Sequence, residues 1–123
     1  MVRMDKYIIL GVGKYVVNIE EILTAQYEAS PNNPGFEILG FIDSDSEKQG
    51  KVFFGYKVLG ALKWLINYKE PINAISFINP IGRRELIDAV KSCHNIKFPN
   101  IAHPSAIISK KADIGHGNIF SQN

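Results

Sequence analysis

The stretch FEILGFIDSDSEKQGKVFFGYKVLG, residues 36–60, constrains this chain more than any other. An apolar run of strand length ends in Asp43-Ser44-Asp45, a polar loop follows, and a second apolar run ends at Gly60. A strand with carboxylates at its C-terminal end delivers them to the rim where open α/β sheets bind ligands. Upstream, Tyr7-Ile8-Ile9-Leu10 runs into Gly11-Val12-Gly13, the mark of a buried first strand and a tight turn. Together these features predict a nucleotide-binding module.

The 123 residues suffice for one domain. With 46% apolar and 21% charged residues, the composition is that of an ordinary globular protein. Net charge is only +2 and the basic residues are scattered, with Arg83-Arg84 and Lys110-Lys111 the adjacent pairs. A nucleic-acid binder would gather them into a stripe, so no nucleic-acid partner is expected. The single cysteine, Cys93, excludes an internal disulfide and reads as a buried structural thiol late in a helix. The N-terminal MVRMDK precedes only a short apolar run, too short for a signal peptide or membrane span. No membrane partner and a cytoplasmic location are the expectations.

Residues 6–10 are predicted to form a buried strand, and Tyr15, Val16, Ile19, Ile22 and Leu23 recur at helical spacing over residues 14–29. The run SPNNPG at residues 30–35 is a loop, and residues 36–43 are the second strand. A polar loop covers residues 44–50, and short strands at 51–54 and 56–59 flank Gly55. Residues 61–68 suit a helix with Leu62, Leu65 and Ile66 inward, and 74–78 a buried strand broken by Asn79-Pro80. A third helix opens at residues 81–84 and ends near Cys93, with Leu86, Ile87, Ala89 and Val90 as its stripe. A last short strand is predicted over 97–101, closed by His103-Pro104. This alternation predicts an α/β fold: a small Rossmann-like parallel sheet with helices on both faces. Right-handed crossovers would bring the Gly11 turn, Asp43 and the Asn79 turn to one edge.

The tail changes character. ISKKAD from Ile108 and IGHGNI from Ile114 repeat an aliphatic residue every six positions. Hexapeptide repeats build parallel β-helices and need several coils for stability. About one coil is present, so the expectation is a fragment or a naturally shortened relative. The division expected is residues 1–104 as the nucleotide-binding unit and 105–123 as the start of the β-helix.

Three segments now carry a resemblance: FIDSDSEKQGKVFFGYKVLG, INPIGRRELI and FPNIAHPSAIISKKADIGHGNI, in that order and spacing. The chain resembles the N-terminal part of bacterial nucleotide-sugar acetyltransferases of the PglD/NeuD type, the sialic acid O-acetyltransferase family. The resemblance implies a Rossmann-like domain that binds a UDP-like nucleotide-linked sugar. It also implies a left-handed, homotrimeric β-helix that binds acetyl-CoA and carries a catalytic histidine. For this chain alone it implies no catalytic residue, no cofactor of its own, and a monomer or weak oligomer with a poorly ordered tail. The first turn departs from the family's GxGGxG, because Lys14 and Val16 stand where glycines are usual. A Cβ there restricts the approach of backbone to a phosphate.

The candidate substrate-binding residues are Gly11, Gly13, Lys14, Tyr15, Asp43, Ser44, Asp45 and Asn79. Gly11 and Gly13 either present amides to an anion at a helix N-terminus or merely turn the chain. Lys14 opposes the helix dipole unless an anion compensates; otherwise it is a solvated lysine. Tyr15 stacks on or bonds a sugar nucleotide, or is a partly buried core tyrosine. Asp43 and Asp45 accept a base N–H or ribose hydroxyl, or start an Asx turn. Ser44 is a turn residue whose amide reaches the ligand, and Asn79 meets the ligand or forms an Asn-Pro turn. Arg83 and Arg84 approach a diphosphate or are solvated. His94, His103 and His116 are assigned no catalytic role, and no His/Cys/Asp cluster has metal-ligand spacing.

The leading expectation is the nucleotide-sugar-binding domain of an acetyltransferase acting on a bacterial surface sugar, inactive by itself. The alternative is a non-catalytic binding or regulatory module. A dinucleotide-dependent oxidoreductase is a third reading, opposed by Val16 at the third fingerprint position and by the missing substrate domain.

Overall fold

The computed structural model describes residues 4–30, 34–76, 88–99, 101–102 and 119–120. Strand β1 (Asp5–Leu10) is buried from Tyr7 onward and alternates between two cores. Tyr7 and Ile9 join one cluster, Ile8 and Leu10 the other. Helix α1 (Val16–Glu28) buries Val16, Ile19, Ile22 and Leu23 along one stripe against the first cluster. Each such burial contributes about 1.5–3 kcal/mol, which offsets the lack of a side-chain cap at Tyr15.

Strand β2 (Phe36–Ile42) lies parallel to β1. A 3-10 turn (Ser46–Lys48) leads to strands β3 (Val52–Phe53) and β4 (Tyr56–Gly60), an antiparallel hairpin. Its two connecting residues, Phe54 and Gly55, have φ of 54° and 87°, the pattern of a type I′ turn. Helix α2 (Leu62–Asn67) buries Leu65, with Leu62, Trp64 and Ile66 packed beside it. Strand β5 (Ile72–Ser76), helical residues 88–90 and strand β6 (Ile96–Lys97) follow.

The sheet order is β3-β4-β2-β1-β5-β6, parallel except for the β3 edge. Helix α1 covers one face, while α2 and Val90 cover the other. The predicted Rossmann-like α/β architecture is therefore present.

Two predicted strands differ. Strand β5 begins at Ile72, earlier than residue 74. Asn73 is tolerated in the ladder because its side-chain amide donates to the Lys6 carbonyl at 3.2 Å. The single strand expected over 97–101 is two separate strands. Pro99 has no N–H and pushes the residue before it away from regular pairing. Accordingly β6 ends at Lys97, and β7 (Ile101–Ala102) pairs instead with β8 (Ile119–Phe120) in a parallel sheet of its own. β7 also contacts α1. Cys93 is half-buried and follows the helical residues 88–90 in a turn rather than lying in a helix. Asn79-Pro80, most of the third helix, His103-Pro104 and the hexapeptide tail lie outside the described residues.

One irregularity decides where the end of β2 points. Tyr7 pairs with Ile38, but Ile8 pairs with Gly40, so Leu39 is an extra residue, a β-bulge. Gly40 has φ of +153°, and a Cβ there would collide with the Lys57 carbonyl oxygen. The bulge shifts the alternation by one. Ile38 and Phe41 share the α1 face, while Leu39 and Ile42 share the other. In an uninterrupted strand Ile38 and Phe41 would lie on opposite faces.

Candidate functional site

Because β1, β2 and β4 run parallel, their C-terminal ends meet at one rim. There the Gly11 amide donates to the Ile42 carbonyl at 2.8 Å, and the Asp43 amide to the Gly60 carbonyl at 3.0 Å. The turn after β1 is thereby tied to the tip of β2. Asp43 completes the tie: its Oδ2 accepts from the Val12 amide at 3.0 Å and its Oδ1 from the Asp45 amide at 2.9 Å. The Lys48 ammonium stands 3.8 Å from Oδ2, and the Asp43 side chain is 15% exposed. Burial by itself raises the Asp43 pKa. The Val12 and Asp45 amides and Lys48 together outweigh that and hold it below the ordinary carboxylate value.

The loop beyond is closed on itself. Asp45 caps the 3-10 turn by accepting from the Glu47 amide at 3.0 Å. The Gln49 side-chain amide donates to the carbonyls of Asp43 at 2.6 Å and Asp45 at 3.1 Å. Ser44 and Asp45 are exposed.

Tyr15 folds back over the glycine turn. Its hydroxyl donates to the Gly11 carbonyl, and its ring fills the space a Cβ on Gly13 would need. Glycine at position 13 is thus required by the tyrosine, and Gly11 adopts φ of +99°. Burial first, and the nearby Asp43 charge second, push the Tyr15 hydroxyl up to about 12. The amide of Val16 donates to the Gly13 carbonyl at 3.3 Å and that of Val17 to the Lys14 carbonyl at 3.1 Å. Val16 is fully buried in the α1 core, and Lys14 is exposed.

The structure therefore brings Gly11, Gly13, Tyr15 and Asp43 together, with Asp45 one loop away. Ser44 and Lys14 lie at the surface, and Asn79 falls outside the described residues. Sequence reasoning missed Gly40, whose signal is a glycine inside an apolar run. It also missed Gln49, whose role as a loop clasp has no compositional mark.

Two hollows among the described residues lie elsewhere. One of about 370 Å³, at the N-terminal ends of β1 and β5, is bordered by Lys6, Glu70, Pro71, Asn73 and Lys97. It is crossed by the Lys6–Glu70 ion pair at 3.3 Å. The other, about 420 Å³, runs along the outer face of α1 beside Glu20, Glu21 and Glu28. Neither touches the rim where open sheets take ligands. Among the described residues no group of three or more His, Cys, Asp or Glu could hold a metal ion. No helix among them is long and apolar enough to cross a membrane.

No family model matches the chain, and none of the curated proteins does. Solved structures do. The acetyltransferase domain of PglB from Neisseria gonorrhoeae FA1090, in complex with acetyl coenzyme A, is 23% identical with a TM-score of 0.65, over 97% of this chain and 54% of that one. PerB from Caulobacter crescentus, in complex with CoA and GDP-perosamine, is 21% identical with a TM-score of 0.66, over 98% of this chain and 53% of that one. RSP, a Rex-family repressor, is 15% identical with a TM-score of 0.55, over 97% of this chain and 52% of that one. The chain spans about half the length of each. At these identities the likeness is one of fold: the chain is built like the Rossmann-like part of sugar acetyltransferase structures, a frame that the Rex-family repressor also uses.

Proposed function

We propose that this chain is the nucleotide-sugar-binding domain of a bacterial sugar O- or N-acetyltransferase serving surface polysaccharide or glycan synthesis. One observation carries the reading: the glycine turn after β1 and the aspartate at the tip of β2 converge on one rim, joined by the Val12–Asp43 bond. In the likened fold that rim is where a ligand enters. PerB was solved with a nucleotide sugar, GDP-perosamine. A UDP- or GDP-linked sugar is accordingly the ligand class proposed here.

The small second sheet supports the β-helix part of the proposal. Ile101 pairs with Ile119 and Ala102 with Phe120, an offset of 18 residues (119 − 101), or three six-residue periods. Ala102, Ile108, Ile114 and Phe120 fall in one six-residue phase. Such pairing is what one coil of a hexapeptide β-helix requires. The proposed division between the units, residues 1–104 and 105–123, lies next to this pairing.

In this proposal the described residues bind and orient the sugar nucleotide, work that lowers the entropic part of a barrier. Acetyl-CoA would supply the acetyl thioester, and the β-helix would supply the general base and a trimeric assembly. No described residue is assigned to that chemistry, and the chain alone is expected to be inactive and to act in the cytoplasm.

The test is calorimetry with UDP-sugars and GDP-sugars, alongside an acetyl-transfer assay. Saturable heat without acetyl transfer is the expected result; no heat at millimolar ligand, weaker than about −4.1 kcal/mol, sinks the reading. In that event the non-catalytic module stands instead, favoured by the internal partners already on the turn. Val16, buried where the NAD fingerprint needs glycine, opposes a dinucleotide site.

A further inference from the structure

Resting on that reading, we infer that Tyr15 sets the ligand class of the crevice: it closes the Gly11–Gly13 turn to phosphate, so the rim recognises the nucleoside and leaves the diphosphate outside.

A phosphate-binding turn offers backbone amides with nothing above them, ahead of a helix N-terminus. This turn is built differently. The Val12 amide already faces a carboxylate, Asp43 Oδ2, at 3.0 Å. The Val16 and Val17 amides are turned inward to the Gly13 and Lys14 carbonyls. The Tyr15 ring fills the space beside Gly13 that the second glycine of a phosphate turn leaves open for close backbone approach, and its hydroxyl bonds the Gly11 carbonyl. A diphosphate entering would have to displace that ring and would then meet the Asp43 charge. Among the described residues the cations at the rim do not reverse this. Lys48 is engaged with Asp43 at 3.8 Å, and Lys14 is exposed, where salt screens it.

A nucleoside fits the same features. A carboxylate has about four lone-pair sites, and the two amides on Asp43 leave room for a base N–H or a ribose hydroxyl. The neutral face of Tyr15 suits a stacked base.

The experiment is calorimetry on the full chain with uridine, guanosine, UDP and GDP, at low and high salt. For the wild type, the tighter-binding nucleoside and its 5′-diphosphate are expected to bind within about threefold of each other, a gap of less than about 0.65 kcal/mol that closes in high salt. Tyr15→Ala should tighten the diphosphate about tenfold (about 1.4 kcal/mol) while the nucleoside is unchanged or weaker. Tyr15→Phe, which keeps the ring but loses the bond that holds it, should bind the diphosphate with an affinity between those of wild type and Tyr15→Ala. The fluorescence of Trp64, the single tryptophan, reports whether each variant is folded; if Tyr15→Ala does not fold, the wild-type comparison decides alone. A wild-type diphosphate more than about tenfold tighter than its nucleoside, in high salt as in low, overturns the inference but leaves the nucleotide-sugar reading intact. So does a Tyr15→Ala chain that weakens both ligands alike. Silence toward all four ligands and toward nucleotide sugars overturns both.

Discussion

Replacing Asp43 by asparagine tests the central bond of the rim. The carboxylate holds two amides, Val12 at 3.0 Å and Asp45 at 2.9 Å. A hydrogen bond to a charged acceptor is worth about 1.5–3 kcal/mol net. Lys48, at 3.8 Å and partly exposed, adds less than about 1 kcal/mol. Asparagine keeps one acceptor oxygen and turns an NH₂ toward the other amide, so one bond is lost. The expected destabilisation is about 2 kcal/mol for Asp43→Asn and about 3 kcal/mol for Asp43→Ala. Urea unfolding followed by Trp64 is the assay. Trp64 packs on Gly60, whose carbonyl accepts the Asp43 amide. With a urea slope of about 1.5 kcal/mol per molar, the asparagine midpoint should fall by about 1.3 M.

Acid gives the independent check. The folded-state pKa of Asp43 is lowered, so its stabilisation is present above the ordinary carboxylate value near 3.9 and disappears as pH falls through the lowered folded value. The gap between wild type and Asp43→Asn should be constant from about pH 7 to about pH 5 and shrink below about pH 4. Equal midpoints at neutral pH would refute the reasoning, as would a gap that persists unchanged into strong acid.

Three further outcomes follow from other parts of the fold. Gly40→Ala should destabilise by roughly 2–4 kcal/mol, because the new Cβ meets the Lys57 carbonyl at a left-handed φ; an unchanged urea midpoint counts against the bulge. Phe54→Asn should stabilise by about 1 kcal/mol, since Phe54 holds φ of 54° in a type I′ turn while 52% exposed; a lower melting temperature counts against it. In alkali, the Tyr15 hydroxyl ionises near 12 when folded and near 10 when unfolded, so it contributes stability that is full below about pH 10 and lost toward pH 12. Wild type should therefore lose stability relative to Tyr15→Phe across that window in urea titrations, and parallel curves would contradict the burial of that hydroxyl.

The sheet was legible because its inner strands are buried on both sides and so read as unbroken apolar runs, as Tyr7 to Leu10 does. Helix α1 was legible from Val16, Ile19, Ile22 and Leu23, which fall on one stripe. That the glycine turn and the tip of β2 share one rim followed from parallel strand order. What stayed hidden depends on local side-chain placement that composition and periodicity do not mark. The fold-back of Tyr15 onto Gly13, two residues away, is a choice of rotamer. The split after Lys97 follows from Pro99, whose missing N–H outweighs the apolar character of its neighbours. Gln49 bonds two carbonyls, an interaction available to any loop glutamine, so its identity says little.

The Gly40 bulge links these levels. Asp43 reaches Val12 across 31 residues only because the extra residue in β2 rephases everything after it. Without it, Phe41 would leave the α1 core and Asp43 would point to the opposite face. One glycine therefore sets both the packing of β2 and the direction of the carboxylate. The same bond then serves as clasp and as candidate recognition point. A ligand that replaced the Val12 amide on Asp43 would loosen the turn it binds to. A ligand that adds a donor to the remaining lone pairs leaves the clasp closed and rigid, and the geometry of the rim favours that second course.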